Sequence, residues 1–175
     1  DGGSSYFDDQ APMSKPGVYM LLVQAKLPVS LIAGKLGKIS LNSRRYCYVG
    51  SAMGGVNGRI QRHLSHKKRL WWHMNYVLER HKPSTLIWAY SQERFECEIA
   101  RRLTVETSKL IPRFGSSDCD CPSHLFFESH LHQLQSKLKM TLDELGLFPN
   151  SMSVQEIVRR HDLRREASKS YTKGR

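Results

Sequence analysis

Residues 46–63 read YCYVGSAMGGVNGRIQRH. An alternating, strand-like run enters a turn of small residues and leaves as a helix carrying Arg59 and His63. Arginine offers a planar charged fork that matches phosphate oxygens. Histidine four residues later lies on the same helical face and moves protons near neutral pH. Anion binding coupled to proton transfer is the chemistry these types allow. Nucleotide loops are excluded: Gly50 to Gly55 is not followed by the Lys of a Walker loop, and G-x-G-x-x-G is absent.

Arg59, Arg62, His63 and His66 fall at i, i+3, i+4 and i+7, and Lys67, Lys68 and Arg69 follow. Two readings of Arg62, His66, Lys67, Lys68 and Arg69 stay open: a solvated face, or a track for a nucleic-acid backbone. The chain holds 27 Lys and Arg against 16 Asp and Glu, a net charge of +11. The excess is local. Residues 56–85 carry seven Lys and Arg against one Glu, and residues 151–175 carry seven against three Asp and Glu. Such a balance suits a polyanionic partner, since neutralising phosphates releases counterions. No apolar run approaches the ~20 residues that span a bilayer, and no export signal is visible. Cys47, Cys97, Cys119 and Cys121 do not form a disulfide framework, so an intracellular location (cytoplasmic or nuclear) and no membrane partner are expected.

The stretch FGSSDCDCPSHLF raises zinc, because Cys119, Cys121 and His124 are ligand types at short spacing. A structural zinc wants four ligands, commonly with C-x₂₋₄-C spacing. C-x-C is tighter, and no fourth ligand is evident; His73 or His130 could serve only if the fold brings it near. The expectation is therefore a turn at Gly115–Asp118 braced by its Ser and Asp side chains, with the cysteines as packing groups and zinc disfavoured. A third option puts this loop at the rim of an active site.

The elements that must position these residues follow from periodicity. GVYMLLVQA, LPVSLIAGK and SRRYCYVG read as three strands of an antiparallel meander, with a turn at Gly37. Val56, Ile60 and Leu64 mark a helix, and WWHMNYVLERH a second. TLIWAYS is a strand, RFECEIARRL a helix, PSHLFFE a strand and LHQLQSKLKMTLDELGL a helix. SVQEIVRRHDLRREASK reads as a basic amphipathic helix with Ser153 as N-cap. The order gives a mixed α/β (α+β) fold: a small antiparallel sheet flanked by helices, with a C-terminal helical extension. Boundaries fall after a flexible lead (1–15), a main domain (16–127), a helical extension (128–150) and a basic tail (151–175).

Gly17-Val18-Tyr19, Tyr48-Val49-Gly50, G-x-R-x-x-x-H through Arg59 and His63, and Glu96 on a later helix occur in that order. The set resembles the GIY-YIG nuclease family, with Val in place of Ile in both tripeptides. YVGSAMGG, RIQRH, WHMNY, ECE and FGSSDCDCPSHLF are similar to a little-characterised subfamily sometimes fused to DNA glycosylase domains. That subfamily shows W-H-x-D-Y, and Asn75 stands here at the Asp place.

The resemblance implies an endonuclease that hydrolyses phosphodiester bonds in DNA with one Mg²⁺ or Mn²⁺, directed by structure or damage in DNA repair. It implies that Tyr19 takes or relays the proton of the attacking water. A phenol of pKa ~10 needs help for that, from a metal-bound water, Tyr48 or Arg59. Tyr48 would orient water or phosphate, Arg59 would grip phosphate, His63 would assist proton transfer and Glu96 would hold the metal. Glu98 is the reserve ligand; it aligns with Arg101 and Arg102 and faces water, whereas Glu96 borders the apolar face of Ile99 and Leu103. Without the resemblance Tyr19 and Tyr48 are ordinary strand residues. RNA stays open as a substrate, and the basic C-terminal helix could meet DNA or a protein. The alternative reading is a catalytically silent nucleic-acid-binding module on the same fold.

Overall fold

The computed structural model describes residues 14–65, 73–107 and 109–172. In chain order come β1 (Gly17–Gln24), β2 (Val29–Ile32), β3 (Lys38–Leu41), β4 (Arg45–Ala52), α1 (Val56–Leu64), α2 (His73–Arg80) and β5 (Pro83–Tyr90). Then follow α3 (Glu96–Thr107), β6 (Leu125–Glu128), α4 (Leu131–Glu144), β7 (Asn150–Ser153) and α5 (Val154–Thr172). The fold is of the expected α+β class: an antiparallel sheet ordered β6-β4-β1-β5-β7, a two-stranded β2-β3 sheet, and helices around them.

β1 is central and almost entirely buried, because both of its faces carry apolar side chains. Tyr19, Leu21 and Val23 point to one core, closed by Val56 and Ile60 of α1, Met74 and Val77 of α2, and Val154 and Ile157 of α5. Val18, Met20 and Leu22 point to the other, closed by Ile99 and Leu103 of α3 and Leu134, Leu138 and Leu142 of α4. Each such burial contributes about 1.5–3 kcal/mol.

Two elements differ from expectation. The three leading strands do not form a meander: β1 pairs directly with β4, and β2–β3 is a separate hairpin. The hairpin is closed at its base by Ala25 N–H on Arg44 O (3.0 Å) and Ser43 Oγ on Lys26 O (2.9 Å). The segment after Gly37 is strand β3. The second difference is β7, an edge strand that pairs with β5 and delivers α5 onto the sheet. Ser153, its last residue, caps α5 as expected, accepting the Glu156 N–H at 3.2 Å. No helix among the described residues is long and apolar enough to cross a membrane.

Gly50 lies opposite Tyr19 in the β1–β4 ladder. A Cβ there would sit 2.4 Å from Tyr19 Cζ and Oη, so the ring lies over bare backbone. Gly50→Ala is expected to cost about 1–3 kcal/mol by overpacking, whereas Gly54→Ala, with nothing within 4 Å of the new Cβ, stays near neutral. Urea unfolding of both variants checks this; equal effects would refute the packing argument.

Candidate functional site

Tyr48 pairs with Leu21, two residues beyond Tyr19, so both tyrosines project from the same sheet face on adjacent strands. Their ring centroids are 6.2 Å apart. Val56 and Ile60 anchor α1 on this face, and three residues after Ile60 the helix turns His63 down onto the sheet, where it is 1% exposed. The His63 ring lies 5.6 Å from that of Tyr19 and 6.2 Å from that of Tyr48.

A hydrogen-bond chain links three buried side chains. His63 Nε2 is 2.6 Å from Tyr19 Oη, and His63 Nδ1 is 3.0 Å from Asn75 Oδ1. An amide oxygen only accepts, so Nδ1 carries the proton and Nε2 accepts the Tyr19 O–H. Asn75, on α2, thereby selects the His63 tautomer.

Burial pushes the Tyr19 phenol well above its ordinary value, and Tyr48 adds to the shift; Arg59 opposes it. Burial likewise pushes Tyr48 up to about 12. Among the helpers expected for Tyr19, Tyr48 therefore acts in the opposite direction, and Arg59 is outweighed by desolvation.

Arg59 is half-buried one turn before His63, and its charge bears on Tyr19, Tyr48 and Glu96. Glu96 begins α3 and brings its carboxylate to the same neighbourhood from the far side of the sheet. Burial raises the Glu96 carboxyl; Arg94 and then Arg59 pull it down by less. Glu96 Oε2 is buried with no hydrogen-bond partner, an arrangement that costs about 1–3 kcal/mol. A divalent cation would satisfy that oxygen, so Glu96 fits a metal ligand. Glu98 is engaged instead in an ion pair with Arg102 at 3.0 Å.

Arg62 is exposed on α1 beside this group. His66, Lys67, Lys68, Arg69, Trp71 and Trp72 lie outside the described residues. Trp88 is a core residue. The loop between α3 and β6 does border the tyrosines: Phe114 meets Tyr48 edge-on at 6.2 Å. Gly115 has φ 72°, and a Cβ there would reach 3.0 Å from the Tyr48 ring. The turn is not braced by Ser116, whose hydroxyl is buried without a partner; Ser123 does that work through Ile111 O at 2.6 Å. His73 accepts the Gly115 N–H and His130 stacks on His132, so neither joins Cys119, Cys121 and His124. Cys97 does. Asn75 and Cys97 are the residues sequence reasoning left without a role; the W-H-x-N-Y position of Asn75 was the signal available for the first.

Over residues 18–147 the chain matches the family described as "Domain of unknown function DUF123". The chain belongs to this family. That finding overturns the resemblance to the GIY-YIG nuclease family. The tripeptides that carried it have a local explanation in packing: Gly50 makes room for the Tyr19 ring, and a Cβ at Gly17 would meet Ala89 O at 2.3 Å. No curated protein and no solved structure matches the chain.

Two outcomes are expected. Both phenols ionise above their unfolded value of 10. Stability is thus unaffected by them below pH 10 and falls as the pH rises from there through about 12, because the unfolded chain releases these protons first. Chemical denaturation across alkaline pH measures this, and the fall should shrink in Tyr48→Phe. Nitrogen-15 NMR should find His63 as the Nδ1–H tautomer, and Asn75→Leu should abolish that preference and cost about 1–3 kcal/mol.

Proposed function

We infer that this chain is a metal-dependent endonuclease, hydrolysing phosphodiester bonds in DNA. The observation that carries the reading is the buried Asn75–His63–Tyr19 chain meeting the charges of Arg59 and Glu96. Phosphodiester hydrolysis needs a proton taken from water, an anchored phosphate and relief of charge on the leaving oxygen.

Tyr19 is too desolvated to work as a free phenolate. It works as a relay: while its oxygen takes a proton from the attacking water, its own proton passes to His63 Nε2, 2.6 Å away. Asn75 holds Nδ1–H and keeps Nε2 ready. No charge then rests on the buried phenol. Tyr48 stays protonated and donates to water or phosphate oxygen. Arg59 grips a phosphate oxygen pair. Glu96 would hold one Mg²⁺ or Mn²⁺ through its unpaired oxygen, and such an ion neutralises phosphate and the departing oxygen. The +6 excess over residues 56–85, from seven Lys and Arg against one Glu, supplies the backbone attraction and a steep salt dependence. Structure- or damage-directed cutting in repair is the biological setting we propose.

The test is cleavage of labelled single strand, duplex, abasic duplex, flap and four-way junction with Mg²⁺ or Mn²⁺. Tyr19→Phe, Arg59→Ala and Glu96→Gln should each lose about 10²–10⁴-fold in rate, with Glu96→Gln still binding DNA. Salt-sensitive binding with no cutting of any substrate would replace the enzyme by a silent DNA-binding module, and undiminished cutting by Tyr19→Phe would sink the relay.

A further inference from the structure

The geometry points to a structural zinc site of the Cys₃His type, formed by Cys97, Cys119, Cys121 and His124, separate from the ion proposed at Glu96. One ligand atom from each lies within 4.8 Å of all the others. Around a tetrahedral zinc with Zn–S of ~2.3 Å, sulfurs stand roughly 3.8 Å apart. The cluster therefore needs to contract by about 1 Å at most to close on the ion. All four cysteines of the chain are free, so no disulfide competes for these sulfurs.

The imidazole is already set for ligation. His124 is 4% exposed and its Nδ1 donates to the Val49 carbonyl at 3.1 Å. That bond leaves the Nε2 lone pair facing the cluster, 3.4 Å from Cys119 Sγ. A metal-bound histidine characteristically donates its other ring nitrogen to a carbonyl or carboxylate, which fixes the ring and the tautomer. Cys121 is fully buried, while Cys97 and Cys119 are half-buried and leave a way in. A packing role explains small buried sulfurs but not a buried imidazole turned towards them.

Binding is balanced as follows. Zn²⁺ replaces the protons of three thiols and uses the neutral imidazole lone pair, so three protons leave and the site carries one net negative charge. Arg101, one turn beyond Cys97, bonds Asp120 between the two loop cysteines at 3.2 Å, which ties the helix to the loop beside the cluster. The ion would tie the first turn of α3 to the loop and, through His124, to β4. Those are the elements that present Glu96 and Tyr48.

The experiment is metal analysis of the purified, reduced, full chain, with cobalt(II) as a spectroscopic replacement. One equivalent of zinc is expected, and cobalt should give thiolate charge-transfer bands and the intense visible bands of a tetrahedral site. Cys119→Ser and Cys121→Ser should each lower zinc content several-fold, whereas Cys47→Ala and Glu96→Gln should keep it. Chelator should lower the melting temperature of the wild type. Folded, reduced wild type that gives no tetrahedral cobalt spectrum would overturn the site, as would zinc content unchanged in both serine variants. These readouts do not depend on cleavage, so the zinc site and the nuclease reading can fail separately.

Discussion

The 2.6 Å hydrogen bond between Tyr19 and His63 is the constraint around which this face of the molecule is arranged. A phenol and an imidazole are each costly to bury without a partner. Here each satisfies the other, but only if α1 sits at one height and one rotation above β1. Val56 and Ile60 set the rotation, Gly50 clears space for the phenol, and Asn75 ties α2 to the same ring. Moving any of these elements strands a buried polar atom. The chain of bonds is thus a packing determinant as well as the path proposed for the proton.

Glu96 reaches the group by a different route. Its helix packs on the opposite sheet face, with Ile99 and Leu103 as anchors. Only the first turn of α3 comes near the tyrosines, and there burial raises the carboxyl while its second oxygen goes unpaired. Two phenols held protonated, a carboxylate short of partners and a nearby guanidinium leave this group of side chains favouring ligands that bring both an anion and a cation. A phosphodiester with a divalent ion is such a pair. An anion alone would meet Arg59 but leave Glu96 unsatisfied.

Much of this was legible from local pattern. The apolar run of β1, the strand pattern of β4, the four-residue repeat of α1 and the apolar face of α3 that Glu96 borders are encoded by neighbours in sequence, and each of these elements reads correctly from it. The rest depends on contacts between distant segments. β7 is Asn-Ser-Met-Ser, without β-branched residues, and becomes a strand because the edge of β5 offers it partners. The β2–β3 hairpin leaves the sheet because the ends of β1 and β4 bond across its base. Cys97 lies far from Cys119 in sequence and on a helix whose periodicity already accounts for it, so only the fold brings its sulfur to the cluster. The family resemblance failed for a related reason: close packing of the central strands already accounts for Gly17 and Gly50, two of the residues that carried it.

The loop between α3 and β6 joins these two systems. Phe114 packs on Tyr48, the Gly115 N–H bonds His73 at the start of α2, and His124 bonds Val49, the residue after Tyr48 on β4. The part of the loop that carries Cys119 is polar and exposed at Ser117, Asp118 and Asp120, and it buries too little apolar surface to hold a fixed path by hydrophobic contact. Yet the position of Tyr48 and the first turn of α3 both depend on that path. A proton relay tolerates displacements of only a fraction of an ångström before its hydrogen bonds fail. Hydrogen bonds fix the ends of this loop, at Gly115 and His124, and the zinc proposed between the three sulfurs and the imidazole would add a cross-link beneath its exposed middle.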